Sequence, residues 1–122
     1  MMNTTTKNTF LKGTAKKLET GVYNARLTSY NVHEREDGRV AVMMNFVIPE
    51  ENRRIFKYQM VDSFDGMVRE PVEEFLTHNG IIEEGLDNEE LLEAMKENVV
   101  PIYYKDKPED KEYKYEFYFN RR

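Results

Sequence analysis

Cations and aromatic rings recur along this chain in a pattern that suits binding, while the side chains that carry most enzyme chemistry are scarce. Arg26, Tyr30, Arg35, Arg39, Met43, Arg53, Lys57 and Tyr58 punctuate the first half, and Tyr104, Lys105, Lys107 and Lys111 follow near the end. Cations neutralise a phosphate backbone and ring faces accept bases, each stacked base being worth about 1–3 kcal/mol. Cysteine is absent, and His33 and His78 are the only histidines, which excludes disulfides, a thiolate nucleophile and the usual zinc ligand sets. The chain has no phosphate-binding glycine loop, no G-x-S-x-G and no H-E-x-x-H. Asp62 with Asp65, and Glu83, Glu84, Asp87 and Glu89, are the notable carboxylate groups. Neither follows the calcium-loop pattern of alternating ligands around a central glycine. They read as a turn and as helix starts, where carboxylates favour the N-terminal dipole. The expectation is a non-catalytic binding protein with no cofactor and no metal.

The elements that must position these residues are legible from periodicity. In residues 22–32, Tyr23, Ala25 and Leu27 alternate with Asn24, Arg26 and Thr28, the period of a strand. Asp37-Gly38 marks a turn. Residues 39–48 place Val40, Val42, Met44, Phe46 and Ile48 toward a core, with Arg39 and Met43 facing away. After a turn at residues 49–52, residues 53–61 put Arg54, Phe56, Tyr58 and Met60 on one face and Arg53, Ile55, Lys57 and Gln59 on the other. Phe46, Phe56, Phe117 and Phe119 are expected in the core, and Arg53 and Lys57 are expected outward. Tyr58 reads either way: its register is inward, yet a tyrosine there can present its hydroxyl at a barrel mouth.

The period then changes. Pro71 suits the first turn of a helix, with Val72, Phe75 and Leu76 as its apolar stripe and Asn79-Gly80 as its stop. Asp87 and Glu90 form a capping-box pair ahead of Leu91, Leu92 and Met95. Strand signals return at residues 99–104, where Pro101 marks an edge or a bend, and again at 113–119. The order is βββ–αα–ββ, a mainly β chain with two short helices. Residues 1–17, rich in Thr, Asn and Lys, are expected to be a mobile arm, and residues 18–122 a single domain.

Net charge is −5, but it is unevenly spread. Residues 1–60 hold ten Lys/Arg against six Asp/Glu, residues 61–100 two against twelve, and residues 101–122 six against five. Because charge is felt only within about 8–10 Å at ordinary salt, the basic and acidic parts act separately. The acidic block reads first as the solvated side of two helices, next as a docking surface for a basic partner, and last as a mimic of nucleic-acid charge. Outward arginine and lysine also serve simply to keep a sheet soluble, an alternative that sequence leaves open. No apolar run approaches the roughly 18 residues of a membrane helix, and a cytoplasmic protein is expected.

Five strands with helical material between the third and fourth is the order of the OB-fold, a five-stranded Greek-key barrel. Its strand 2–3 face and its 1–2 and 4–5 loops bind oligonucleotides and oligosaccharides. Residues 21–119 resemble small OB-fold single-stranded-DNA-binding proteins of phages and mobile elements. The resemblance rests on Gly21-Val-Tyr-Asn-Ala-Arg-Leu27, on Asp37-Gly-Arg39 leading into Met43-Met-Asn-Phe-Val-Ile48, and on the acidic helix pair ahead of Val100. It implies single-stranded DNA as ligand during replication or recombination, oligomerisation, and replication or recombination proteins as further partners. Arg26, Arg39, Arg53 and Lys57 would then neutralise phosphates and Tyr30, Tyr58 and Tyr104 stack bases, with Tyr118 a further stacking candidate. Arg35 and Met43, and the loop residues Lys105, Lys107 and Lys111, complete the set. The alternative is a protein-interaction module working through the acidic helices at Glu89, Glu90 and Glu93.

Overall fold

Five antiparallel strands coil into a nearly closed barrel, in a computed structural model that describes residues 18–83, 85–110 and 112–119. The strands are β1 (Gly21–Glu34), β2 (Val40–Ile48), β3 (Arg53–Met60), β4 (Val100–Asp106) and β5 (Tyr115–Phe119), in sheet order β3-β2-β1-β4-β5. β1 serves both halves: Gly21 to Ala25 pair with β4, and Arg26 to Glu34 pair with β2. Two helices, α1 (Glu70–His78) and α2 (Asn88–Glu97), lie between β3 and β4. The fold is mainly β and OB-like, as the order of elements predicts. The expected arm over residues 1–17 and Lys111 lie outside the described residues.

One apolar cluster joins the strands to both helices. Val42, Met44, Phe46 and Ile48 of β2 all point into it, as their alternation predicts. Phe46 packs edge-on against Phe117 at 5.5 Å between centroids and against Phe119 at 5.7 Å. The turn at Asp37-Gly38 forms with Gly38 at φ 86°, a conformation glycine adopts cheaply. Asp87 caps α2 by accepting from the Glu90 amide at 2.8 Å, while Glu90 accepts from the Asp87 amide at 3.0 Å.

Two features of the backbone decide which side chains face out. A bulge at Leu27/Ser29 shifts the β1 register by one residue. Before it the odd residues Ala25 and Leu27 are buried; after it Tyr30 turns toward the core side and Ser29 away. On β3 the pairing is Phe46↔Ile55, Met44↔Lys57 and Val42↔Gln59. Directly opposed residues share a face, so the inward residues of β2 bring the odd residues of β3 inward with them. Ile55 and Gln59 are buried, and Phe56 and Tyr58 are exposed at 40% and 41%. The expected faces of β3 are therefore exchanged: Phe56 is not core, and Arg53 and Lys57 are not outward.

Two smaller corrections follow from the same geometry. β4 lies between β1 and β5 and is no edge strand. Pro101 is accommodated at its second residue, where it stands opposite Asn24 of β1. A π-helical stretch (Asp65–Arg69) runs directly into α1, so Pro71 stands inside a longer helical segment than its sequence signal implies. Its wider turn, with the Glu70 amide reaching the Asp65 carbonyl, relieves the bond and the clash that proline brings to an α-helix.

Candidate nucleic-acid interface

The exchange of faces on β3 turns an expected core aromatic into part of an exposed apolar surface. Met43 stands opposite Tyr58 and Asn45 opposite Phe56, so these four share the outer side of β2 and β3. Asn45 is held in place by donating to Ser29 Oγ at 3.2 Å and by its carbonyl accepting from Thr28 Oγ1 at 3.0 Å. The surface continues across the β3–β5 seam. There a cleft of about 270 Å³ is lined by Phe56, Lys57, Tyr58, Tyr113 and Tyr118, with Lys107 at its side. Tyr113 is 63% exposed and Tyr118 39% exposed. Contiguous exposed apolar surface of this kind is uncommon and is a feature of interaction sites in general.

Among the described residues no strand ladder joins β3 to β5, and side chains bridge the seam instead. Lys57 Nζ donates to the Phe117 carbonyl at 2.7 Å, and its ammonium stands 5.1 Å from the Phe117 ring centre and 5.3 Å from that of Tyr118. The Phe56 amide donates to the Tyr115 hydroxyl at 2.9 Å. Burial pushes the Lys57 ammonium below its ordinary pKa, with Glu116 opposing the shift. Lys57 is thus a half-buried wall of the cleft whose stem packs inward and whose charge reaches the rings.

Charged groups flank the face at both ends. In the 1–2 turn Arg35 reaches Met60 Sδ at 3.9 Å and pairs with Asp37 at 3.5 Å, while Arg39 pairs with Asp62 at 3.7 Å. In the 4–5 loop Lys107 pairs with Asp110 at 3.6 Å and Glu116 at 3.4 Å. Lys105 is exposed on β4, paired in register with Glu116. Asp110 accepts the amides of Glu112 and Tyr113, both at 2.8 Å, and these bonds hold its carboxyl below the usual carboxylate range. This brace carries Tyr113 to the cleft. Tyr118 donates to Glu116 at 2.7 Å, which raises the phenol and lowers the carboxyl.

Arg35, Arg39, Met43, Lys57, Tyr58, Lys105 and Lys107 therefore belong to, or border, one surface. Four expected residues do not join it. Arg26 donates to the Lys96 carbonyl at 3.4 Å and caps the C-terminal end of α2. Tyr30, turned by the bulge, donates to Glu93 at 3.3 Å on the same helix. Arg53 occupies the inward register at the barrel end, where its charge opposes the burial that raises the Tyr104 phenol. Tyr104 is 3% exposed, stacked on Tyr115 at 5.2 Å and edge-on to Tyr23 at 6.0 Å, so no base can reach it.

Phe56 and Tyr113 are the members that sequence reasoning misses. Phe56 looks like core because its strand alternates polar and aromatic residues, and Tyr113 because it continues the alternation of Tyr115, Phe117 and Phe119. The available signal was Tyr118, an aromatic on the polar side of β5. Among the described residues no group of acidic and histidine side chains is gathered for a metal ion, and no helix is long and apolar enough to cross a membrane. No known protein family matches the chain, and no curated protein matches it in sequence.

Proposed function

We propose that this protein binds single-stranded DNA, without catalysing a reaction, across the outer face of β2 and β3 and the adjoining seam. The observation that carries the reading is the group of exposed rings, Phe56, Tyr58, Tyr113 and Tyr118, gathered around Lys57. Phe56 and Tyr58 are two residues apart on one strand, so their rings recur at about 6.6 Å. Bases in a duplex strand stack every 3.4 Å or so. A strand that lays one base on each ring is therefore extended and unstacked, which a duplex cannot offer. Met43 gives the neighbouring apolar contact, and Arg35, Arg39, Lys105 and Lys107 lie where the backbone would enter and leave.

Arg35, Arg39 and Lys107 already hold carboxylate partners. Phosphates would replace those partners rather than meet bare cations. Exposed pairs of this kind are worth about 0–1 kcal/mol, so the exchange is cheap but also yields little. Stacking is accordingly the larger source of affinity here. Coating of strands in the replication or recombination of a phage or mobile element, with several copies side by side, is the role that fits a face this small.

The test is a fluorescence-anisotropy titration of labelled oligo-dT against duplex of equal length at two salt concentrations. Micromolar or tighter binding with single-strand preference supports the proposal. Absence of binding at low salt overturns it.

A further inference from the structure

We infer that residues 7–12 of this chain dock on its own helix α2, in a groove that shares no lining residue with the aromatic cleft. The groove runs between α2 and the segment before it, with Ile82, Leu86 and Ala94 as its floor and Asp87, Glu89, Glu90, Glu93 and Glu97 around it. Its volume is about 620 Å³. The floor residues pack against the core cluster from one side and are only partly covered from the other. Of the rim, Glu90 is engaged in the helix cap and Glu93 with Tyr30 and Lys96, while Glu89 and Glu97 are exposed. Residues 87–97 hold five carboxylates against one lysine.

The chain carries the complement of this groove. Residues 1–17 contain Lys7, Lys12, Lys16 and Lys17 and no Asp or Glu. Their only bulky apolar side chains past the initial methionines, Phe10 and Leu11, stand between the lysines. An apolar pair between cations matches an apolar floor between carboxylates.

Chain length permits the contact within one molecule. Leu18 is buried in the core, which fixes where the segment starts. From Leu18 to Arg26 is eight residues, at most about 26–29 Å, and Arg26 touches the end of α2 through the Lys96 carbonyl. The eight residues from Leu18 back to Phe10 span up to about 26–29 Å when extended. Tethering gives the segment an effective concentration of order mM, so a weak contact is populated without a second copy. The inference does not depend on the nucleic-acid reading.

A spin label tests it. The chain has no cysteine, so Thr9→Cys provides a unique attachment point. In nitrogen-15-labelled protein the amide signals of Ile82, Leu86, Ala94 and Glu97 are expected to lose at least half their intensity, and those of Phe56 and Tyr58 to keep theirs. Adding Phe10→Ser and Leu11→Ser should restore the groove signals, as should Glu89→Lys with Glu97→Lys. A mixture of spin-labelled, isotope-free protein with unlabelled nitrogen-15 protein should show no loss. Undiminished groove signals in the singly labelled protein overturn the inference. Equal loss in the mixture also overturns it, since the occupant is then a second copy, and so does loss that persists without Phe10 and Leu11.

Discussion

Tyr30 and Tyr58 are both strand tyrosines in the same three-strand meander, and the fold gives them opposite roles. Tyr58 stands open on the outer side of β3 beside Met43 and Phe56. Tyr30 lies past the β1 bulge, against α2, with its hydroxyl on Glu93. Around Tyr58 the surface offers rings and lysines; around Tyr30 it offers carboxylates. Composition does not separate the two residues. A one-residue shift of register does, because it moves every later side chain to the other face. The barrel thus has an aromatic side, the face proposed to take bases, and an acidic helical side.

The contrast breaks most sharply at the core tyrosine. Tyr104→Ala should destabilise the fold by about 3–5 kcal/mol, the usual cost of emptying a buried ring site, measured by urea unfolding. Tyr104→Phe should be nearly neutral, and neither change should alter oligo-dT affinity per folded molecule. Tyr58→Ala should do the reverse. Its expected loss is about 1–3 kcal/mol of single-strand affinity, roughly 5- to 150-fold, with little change in the unfolding midpoint. Tyr30→Phe, the matched change on the acidic side, should leave affinity unaltered.

Lys57→Met keeps the packed stem and removes the bond to the Phe117 carbonyl. A loss of about 1–2 kcal/mol in stability is expected, with faster amide exchange confined to the β3–β5 seam. Charge reversal should do less than ring removal. Arg39→Glu should weaken binding and lower the salt slope by no more than about one unit, whereas Glu89→Lys with Glu90→Lys should leave single-strand binding intact or slightly tighter. Binding lost through the glutamates instead would favour the acidic helices as the working surface. The smallest effect concerns pH. Because the Asp110 carboxyl is lowered by the amides it accepts, its brace is complete above the ordinary carboxylate range and is lost as pH falls through the lowered value. The amide shifts of Glu112 and Tyr113 should therefore stay constant from neutral to mildly acidic pH and move only below that range.

Much of this fold is legible in the sequence because local chemistry and tertiary context agree. The β2 alternation, the turn at Asp37-Gly38 and the capping box at Asp87 each need only a few neighbouring residues. The parts that are not legible depend on pairing. Nothing local in residues 53–60 says that Ile55 and Gln59 will be inside, since Phe56 and Tyr58 are the more apolar pair; the register with β2 decides it. Nothing local marks the bulge that withdraws Tyr30. The general location of the candidate site, a strand 2–3 face between the 1–2 and 4–5 loops, follows from the order of elements. Its individual members do not, which is why Phe56 and Tyr113 enter while Arg26, Tyr30, Arg53 and Tyr104 leave.

The most direct test is an amide-shift map of nitrogen-15-labelled protein titrated with a short oligo-dT. Shifts gathered on Met43, Phe56, Lys57, Tyr58, Tyr113 and Tyr118, with α2 unmoved, are the expected result. Shifts centred on Glu89, Glu93 and the rest of α2, or none at all at low salt, would contradict the assignment of the aromatic face as the binding surface.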